Sequence, residues 1–447
     1  MKDFTRGKIF PSIIAFTIPV LLGNLLQNLY AVVDTFLVGR FVSLNALAAI
    51  GSTGSTTFLI FALTQGLATG FGVIISRYFG AGDHEKMKKS IAMSYLLAFG
   101  FSILFAIVGG LGTTWMITIM KTPEVIFQDA WTYTFIMAIG IPATMGYNTL
   151  ATVMRALGDS KTPLYLLLIS CILNIIGDIV LITVVHWGVF GVAIATISAQ
   201  AISAVLCYIY MIRKFPELRM HKEDFKLDRQ IIKQILPLGL TSSLQFSVCS
   251  LGTMFVQAKA NQLGADIVAA YSVGLKLEGL LSTFYPALGV AMTTFTAQNL
   301  GKQDYRRIRQ GAKCSLLISS SITVFLLAIG FLWGRDLAML FVDSSETVIL
   351  DMIERYIHAM TIFFMPLALI FIFRSSSQGL GSGLIPLWSS IFELLARLLV
   401  AFTLILRMGF DGLALSNVCS WTAGGVYCII AFYYRLRKLE RRKLERA

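Results

Sequence analysis

The sequence predicts an all-α integral membrane protein with twelve transmembrane helices in two six-helix lobes, related by a pseudo-two-fold axis along the membrane normal. Three observations predict this fold class. The 447 residues are 56% hydrophobic and only 14% charged, whereas soluble domains are about 25% charged. Twelve apolar runs are each long enough to cross about 30 Å of hydrocarbon as a helix. The last six runs repeat the pattern of the first six.

The longest and most charged connection, 213–233, lies halfway along the chain. It separates an amino-terminal lobe, 1–213, from a carboxyl-terminal lobe, 231–447, with a cytoplasmic linker at 214–230 and a basic cytoplasmic tail at the end. The spans are predicted at 12–39, 47–76, 90–114, 127–154, 162–186, 190–212, 231–258, 266–297, 313–333, 348–373, 384–407 and 411–434.

The first span carries an aspartate, Asp34, close to its far end. An acid at the centre of a membrane helix costs about 2.5–3.5 kcal/mol, so an intramembrane carboxylate indicates a function. One face of the helix is polar and the opposite face is apolar, because the polar residues of this span lie on the same face as the acid. Pro19 removes one backbone hydrogen bond from this helix, which predicts a hinge. The residues of the shared face are Asn24, Gln27, Asn28, Ala31, Asp34 and Thr35.

The fifth and sixth spans carry further polar stripes. Ser170, Asn174 and Asp178 are spaced at i, i+4 and i+8 on the fifth, and Thr196 and Gln200 share one face of the sixth. Beside the first span they would supply two carboxylates, an amide oxygen and a hydroxyl, which are ligands for a hard cation or a proton. The alternative is that these groups only hydrogen-bond between helices. Two acids without an intramembrane lysine or arginine in the same half favour the ion site.

The two halves match in scaffold and differ in chemistry. An even number of spans in each half predicts parallel repeats with a cavity between them. The matched positions are Pro19 with Pro237, Gln27 with Gln245, the loops 80–83 and 301–304, Pro142 with Pro366, Pro163 with Pro386, and Gly191 with Gly412. The acids of the first half are absent from the second: Asp34 aligns with Gly252, and Asn174 and Asp178 align with Arg397 and Ala401.

The net charge of +13 does not indicate nucleic-acid binding, because most basic residues lie in alternate connections and at the termini. This asymmetry predicts that both termini are cytoplasmic, in the plasma membrane of a prokaryote. The basic tail would be attracted to anionic lipids. The six cysteines are scattered, so neither disulfides nor a metal site is expected. The first span is too long for a cleaved signal peptide.

Other residues have two interpretations each. Glu278 would contact either a cationic substrate or a neighbouring helix. The predicted substrate cavity comprises Gln27, Tyr30, Asn148 and Glu278. Glu393 and Arg397 are four residues apart, which predicts a neutralising pair. Glycines in the second span lack the lysine of a phosphate loop, so they predict close helix packing. These glycines are Gly66, Gly70 and Gly72.

Over nearly its whole length the chain resembles the multidrug and toxic compound extrusion (MATE) transporters. The resemblance is carried by Pro19, Gln27, Tyr30 and Asp34, by the loop 80–83, by the run 155–163, and by Asn174, Asp178 and Thr196. It implies antiport by alternating access, export of bulky amphipathic and often cationic compounds, and no enzymatic activity or cofactor. It also implies that the coupling proton or sodium ion binds at Asp34, Asn174, Asp178 and Thr196.

One departure separates the chain from another branch of that family, which carries further acids on helices seven and ten. The seventh span, 231–258, contains no acid, so an ion site in the carboxyl-terminal lobe is not expected. The expected partners are small-molecule drugs or toxic organic cations and membrane lipids, with no nucleic acid, and the expected state is a monomer.

Two rival functions remain open. A lipid-linked oligosaccharide flippase of the same superfamily would need several cavity arginines to neutralise a pyrophosphate. Apart from basic residues at span ends, only Lys276, Arg355 and Arg397 fall within predicted spans. An intramembrane enzyme would need a nucleophile and a base, and the sequence places no Ser/His or His/Asp pair on facing helices. No nucleotide-binding motif is found, so an ion gradient would drive transport.

Overall fold

The computed structural model describes residues 3–120 and 122–445, apart from the side chains of Ser55, Thr56 and Glu217. The described chain consists of helices and short connections. Its α-helices are α1 (Ile9–Phe41), α2 (Leu44–Ser52), α3 (Gly54–Ala81), α4 (His84–Ile119), α5 (Glu124–Ile139), α6 (Ile141–Ala156), α7 (Lys161–Ile179), α8 (Gly188–Lys214), α9 (Arg229–Ala260), α10 (Ala265–Ser282), α11 (Phe284–Gly301), α12 (Tyr305–Met339), α13 (Thr347–Ile362), α14 (Phe364–Gly379), α15 (Leu384–Met408) and α16 (Phe410–Leu444).

Four predicted spans are each divided into two helices by a single residue. The divisions fall at Thr53, Gly140, Thr283 and Phe363. Joining the helices on either side gives one helical stretch for each of the twelve predicted spans, which confirms the predicted all-α membrane fold. Within the described ranges, nine single helices are long and apolar enough to cross a membrane, and two bent pairs raise this number to eleven. The twelfth helical stretch, which is not among these eleven, is the α5–α6 pair.

The helices of the second half repeat those of the first in order and length. The opening helices α1 and α9 have 33 and 32 residues, and the third spans, α4 and α12, have 36 and 35. In both halves the second and the fourth spans are the divided ones. The repeat predicted from prolines and loops is therefore also a repeat of helix pattern.

Contacts divide the chain into two compact units, and no single position along the sequence separates them. The amino-terminal unit contains Leu22–Ser243, and the carboxyl-terminal unit contains Phe4–Leu21 and the chain from Leu244 onwards. Helix α1 therefore begins in the carboxyl-terminal unit and continues in the amino-terminal unit, and α9 does the reverse. In each helix a proline, Pro19 or Pro237, precedes the change of unit.

Small residues allow α3 and the first part of α9 to approach closely inside the amino-terminal unit. A Cβ atom added at Gly70 would lie 2.4 Å from the backbone nitrogen of Gly239, and one added at Gly66 would lie 2.5 Å from Cα of Ser243. A side chain at Gly72 would meet Thr152 at 2.5 Å. The predicted role of these glycines in helix packing is thus confirmed.

Residues near the start of the chain are anchored in the carboxyl-terminal unit. Phe4 is fully buried and makes edge-on ring contacts with Phe16 at 5.3 Å and with Phe295 at 5.7 Å. Arg307 donates from Nε to the carbonyl oxygen of Phe4 at 2.9 Å and from Nη2 to that of Gly7 at 2.9 Å. These contacts fix the segment that precedes α1.

The aligned loops 80–83 and 301–304 end in the same helix cap. Asp83 accepts a hydrogen bond from the backbone nitrogen of Lys86 at 3.0 Å, and Asp304 accepts one from that of Arg307 at 2.9 Å. Both side chains satisfy an otherwise free helix N–H. The bond from the Lys86 backbone also lowers the pKa of Asp83 below its ordinary value. The similarity of the two halves thus extends to their loops.

Candidate functional site

Asp34 of α1 and Asp178 of α7 meet inside the amino-terminal unit. Asp178 is fully buried and Asp34 is half-buried. Their carboxyl groups are in hydrogen-bonding contact with each other. Because ionised carboxylates only accept hydrogen bonds, this contact requires a proton on one of them. Among the described residues, no other group donates a hydrogen bond to Oδ1 of either aspartate, so a shared proton or a cation has to satisfy these oxygens.

Asn174 and Thr196 complete a polar group around Asp178. With its amide nitrogen facing the acid, Asn174 donates to Oδ2 of Asp178 at 3.1 Å, and its oxygen lies 3.3 Å from Oγ1 of Thr196. Thr196 donates to the carbonyl oxygen of Val192 at 3.0 Å, and the hydroxyl of Tyr30 lies 3.3 Å from the same Oγ1. The four predicted ion-site residues are therefore brought together.

The secondary structure explains how these side chains converge. On α7, Asn174 and Asp178 lie one turn apart and point the same way, and α7 packs along α8, which supplies Thr196. Directly after Asp178 the helix widens into a π-helical turn, Val180–Val184. Such turns are rare and often occur at functional sites. Helix α1 presents Tyr30 and Asp34 to this group, one turn apart on the same face.

Neither acid has a basic partner. Among the described residues, no lysine or arginine forms an ion pair with Asp34 or Asp178 or acts on their carboxyl groups through charge. A buried charge without a partner is costly, so the pair needs a proton or a small cation. No three His, Cys, Asp or Glu side chains cluster in the described chain. An oxygen set of this composition suits a proton or a sodium ion better than a transition metal.

A cavity lined by both polar and apolar side chains lies beside Asn174 and Thr196 within the same unit. Its volume is about 80 Å³, enough for several water molecules, since one needs about 10–15 Å³. Gln27, Tyr30 and Asn148, which the sequence assigned to a substrate cavity, line it, whereas Glu278 is not among its lining residues. The lining residues are Gln27, Tyr30, Phe61, Thr144, Tyr147, Asn148, Leu167, Ser170, Cys171, Asn174, Thr196, Ala199 and Gln200.

Tyr133 is a member of the site that the sequence did not single out. This side chain on α5 is 7% exposed and lies close enough to Asp34 and Asp178 for their charges to act on its hydroxyl. Thr144 was also not assigned to the site, whereas Gln200 was predicted to share the polar face of the sixth span with Thr196. The Thr144 hydroxyl donates to the Gln200 amide oxygen at the cavity wall.

The acids of the carboxyl-terminal unit lie in different surroundings. The predicted pair of Glu393 with Arg397 is wrong, because Glu393 pairs instead with Arg374 of α14 at 2.9 Å. The guanidinium of Arg374 on the neighbouring helix α14 is thus nearer to Glu393 than that of Arg397, which lies one turn further along α15. Glu278 of α10 accepts hydrogen bonds from Tyr356 and Asn417. Its contacts are with neighbouring helices, which is one of the two interpretations that the sequence allowed.

Comparison with known proteins gives consistent results over most of the chain. The MatE family model matches residues 19–180 and 237–403, and the first stretch includes Asp34, Asn174 and Asp178. The probable multidrug resistance protein YpnP of Bacillus subtilis is 29% identical over 416 residues, which are 92% of this chain and 89% of YpnP. The probable multidrug resistance protein YoeA of the same organism is 26% identical over 351 residues, 77% of this chain and 76% of YoeA.

A solved structure shows the same fold. A MATE protein in complex with MaL6 superposes with a TM-score of 0.92 at 22% identity, and the match covers 98% of this chain and 99% of that protein. At this level of identity the similarity concerns the arrangement of the helices.

Proposed function

Because the chain belongs to the MatE family, whose members are transporters rather than enzymes, we propose that it exports amphipathic, often cationic compounds in exchange for protons or sodium ions. The substrate class is supported by the multidrug resistance proteins to which the chain is similar. The exchange is supported by one observation above all, namely the contact of Asp34 with Asp178 without a basic partner. No cofactor takes part in this proposal.

The coupling ion would bind between the acids and their polar neighbours. Asp34 and Asp178 supply the negative charge, Asn174 supplies an amide oxygen and Thr196 a hydroxyl. When the site is empty of cations, the two carboxylates repel each other, and a proton or sodium ion removes that repulsion. Ion binding would therefore change the preferred packing of α1 against α7, which is the step that links the ion to the substrate cavity.

Helix α1 would transmit this change through its proline. Pro19 lies close to the point where α1 passes from one unit to the other, and its missing backbone hydrogen bond makes bending easier there. A bend that moves Gln27 and Tyr30 would narrow the cavity that they line. Substrate would then be expelled as the ion enters.

The energy of one ion is sufficient for useful export. Each elementary charge that moves inwards releases about 2.3 kcal/mol per 100 mV. At about 1.4 kcal/mol per tenfold change, one ion supports roughly a fifty-fold gradient of a neutral substrate. The proposal includes a location in the plasma membrane of a bacterium with substrate loaded from the cytoplasm, and the distribution of basic residues supports cytoplasmic termini.

The lining of the cavity favours efflux of organic cations over the flipping of lipid-linked oligosaccharides. A flippase has to neutralise a pyrophosphate, which needs arginine or lysine. The cavity of the amino-terminal unit is lined by hydroxyl, amide and aromatic side chains and by neither of these basic residues.

Transport by everted membrane vesicles tests the proposal. We expect uptake of a fluorescent organic cation when the vesicle interior is made acidic or sodium-rich, with the two gradients imposed separately. Asp34→Asn and Asp178→Asn should each lower the initial rate at least tenfold at equal amounts of protein in the membrane. The matched control is Asp336→Asn, since Asp336 is exposed at the end of α12. Full gradient-driven uptake by both site variants would refute the coupling role.

A further inference from the structure

The last turns of α16 extend beyond the part of the helix that is needed to cross hydrocarbon. The helix has 35 residues and is therefore about 52 Å long, whereas the hydrocarbon of a membrane is about 30 Å thick. The apolar part ends at Tyr434, and six of the next ten residues are lysine or arginine. This segment, 435–444, is called the tail helix.

One face of the tail helix packs within the carboxyl-terminal unit, against the start of α12. Leu436 is fully buried. Glu440 forms an ion pair with Arg309 of α12, and Nζ of Lys443 donates to the carbonyl oxygen of Gln303 at 3.1 Å. These contacts hold the tail helix against the unit and define which of its side chains point outwards.

The exposed face of the tail helix continues the lipid-facing row of α16. Within the apolar part of the helix, Val426, Ile430 and Tyr434 recur every four residues and are 52%, 65% and 69% exposed. Exposed apolar side chains on a membrane span face the acyl chains of the lipid. At 100° per residue, Arg437 and Arg441 lie within the arc that these three side chains cover. The two arginines therefore leave the helix on its lipid-facing side, one to two turns beyond Tyr434.

Four exposed basic side chains of the tail helix are not neutralised by the protein, and they are called the basic face. They are Arg437, Lys438, Arg441 and Arg442. Within the described ranges of the chain, none of the four forms an ion pair, and the acid of the tail helix, Glu440, is paired with Arg309 instead. Glu445, which follows the tail helix, leaves the basic face with an excess of positive charge.

We propose that the basic face binds the headgroups of anionic phospholipids that surround the end of α16. A guanidinium donates two parallel hydrogen bonds to phosphate oxygens, and the lipid-facing row places the arginines at the level of those phosphates. A soluble anion would be attracted by the same charges, but alignment with the lipid-facing row favours a lipid. Because the tail helix is joined to α12, bound lipid stabilises the folded carboxyl-terminal unit. This surface is independent of the proposed ion site.

Thermal unfolding of the purified full-length protein in detergent tests this inference. Phosphatidylglycerol should raise the unfolding midpoint of the wild type by several degrees, because a ligand that binds only the folded state stabilises it. Phosphatidylcholine with the same acyl chains should raise the midpoint by less than half as much. The triple variant Arg437→Gln, Lys438→Gln, Arg441→Gln should match the wild type without lipid and should lose most of the shift. Native mass spectrometry should show fewer phosphatidylglycerol molecules bound to this variant.

The matched control removes three exposed positive charges between α8 and α9, as Lys222→Gln, Lys226→Gln, Arg229→Gln, and should keep the wild-type shift. An equal shift in the wild type and the triple variant would overturn the inference. Loss of the shift in the control would also overturn it, because total charge would then be what the lipid recognises. An equal shift with inorganic phosphate would assign the face to a soluble anion instead. If the triple variant does not fold, the number of phosphatidylglycerol molecules bound to Arg441→Gln decides.

Discussion

At the scale of single residues, the proposed ion site contains a hydroxyl group, that of Thr196, which lies close to three neighbours. Thr196 donates to the backbone oxygen of Val192 and lies within hydrogen-bonding distance of Tyr30 and Asn174. The backbone nitrogen of Thr196 donates to the amide oxygen of Asn174 at 3.2 Å, and the amide nitrogen of Asn174 donates to Asp178. The acids supply the charge, and Thr196 holds the neutral ligands in register with them.

Thr196→Val should weaken binding of the coupling ion while leaving the fold intact. Loss of one neutral hydrogen bond costs about 0.5–1.5 kcal/mol, so the half-saturating proton or sodium concentration should rise about 2- to 12-fold. The measurement is vesicle uptake of a fluorescent cation as a function of that concentration. Thr118→Val is the control, because Thr118 makes the same i to i−4 backbone bond at an exposed site on α4. An unchanged ion dependence would remove Thr196 from the site.

Much of the site could be predicted at this scale, and the reasons for the exceptions are physical. Helical spacing placed Asn174 and Asp178 on one face, and the resemblance to MATE transporters linked them to Asp34. Helical spacing did not predict the partner of Glu393. A separation of four residues only makes a contact possible, and the actual partner, Arg374, lies on the neighbouring helix α14. Contacts between helices depend on packing that a single sequence does not specify.

At the scale of helices, proline explains most of the breaks that the sequence did not predict. Gly140 lies two residues before Pro142, and Thr283 and Phe363 each lie three residues before a proline, Pro286 or Pro366. A proline ring clashes with the carbonyl group four residues earlier and removes one hydrogen bond. The prolines were visible in the sequence, but a proline does not always break a helix: Pro19 lies inside the continuous helix α1.

Pro19→Ala should slow transport without abolishing ion binding. Alanine restores the missing backbone hydrogen bond and stiffens α1 at the proposed hinge. We expect an initial rate of vesicle uptake reduced several-fold, with an unchanged half-saturating ion concentration. Pro11→Ala is the control, because Pro11 lies in the first turn of α1, where its missing N–H would have no helical partner. Equal rates for wild type and Pro19→Ala would exclude the hinge.

Gly70→Ala should destabilise the protein, because its Cβ atom would lie 2.4 Å from the backbone of α9. Overpacking of this kind costs about 1–3 kcal/mol. Thermal unfolding in detergent should show a lower midpoint for this variant. Gly100→Ala is the matched control, since it lies within α4 with no atom within 4 Å of an added Cβ, and it should retain or slightly raise the midpoint. Equal midpoints for the two variants would refute close packing of α3 on α9.

At the scale of the whole molecule, composition and repeat pattern were sufficient to predict the fold class, and the family was predicted from a resemblance in particular motifs. Twelve apolar runs became twelve helical stretches, and the family model matches both halves of the chain. The exchange of parts of α1 and α9 between the two units was not predicted, because nothing in a hydropathy pattern shows which unit a segment packs against. The distribution of charge over the connections predicts the orientation in the membrane.

Cysteine labelling of intact cells tests that orientation. In a variant without the six native cysteines, Ser345→Cys lies in the exposed connection between α12 and α13 and should react with a membrane-impermeant maleimide. Lys222→Cys, exposed in the connection between α8 and α9, should react only after the cells are permeabilised. The opposite labelling pattern would reverse the predicted topology.

The most direct test of the central claim is substrate-driven ion movement in proteoliposomes without an imposed ion gradient. A gradient of a fluorescent organic cation should drive protons or sodium ions in the opposite direction at a fixed ratio to substrate. The variant with both Asp34→Asn and Asp178→Asn should move no ions, while Asp336→Asn should match the wild type. Continued counter-movement of ions at the wild-type ratio in the double variant would contradict the account.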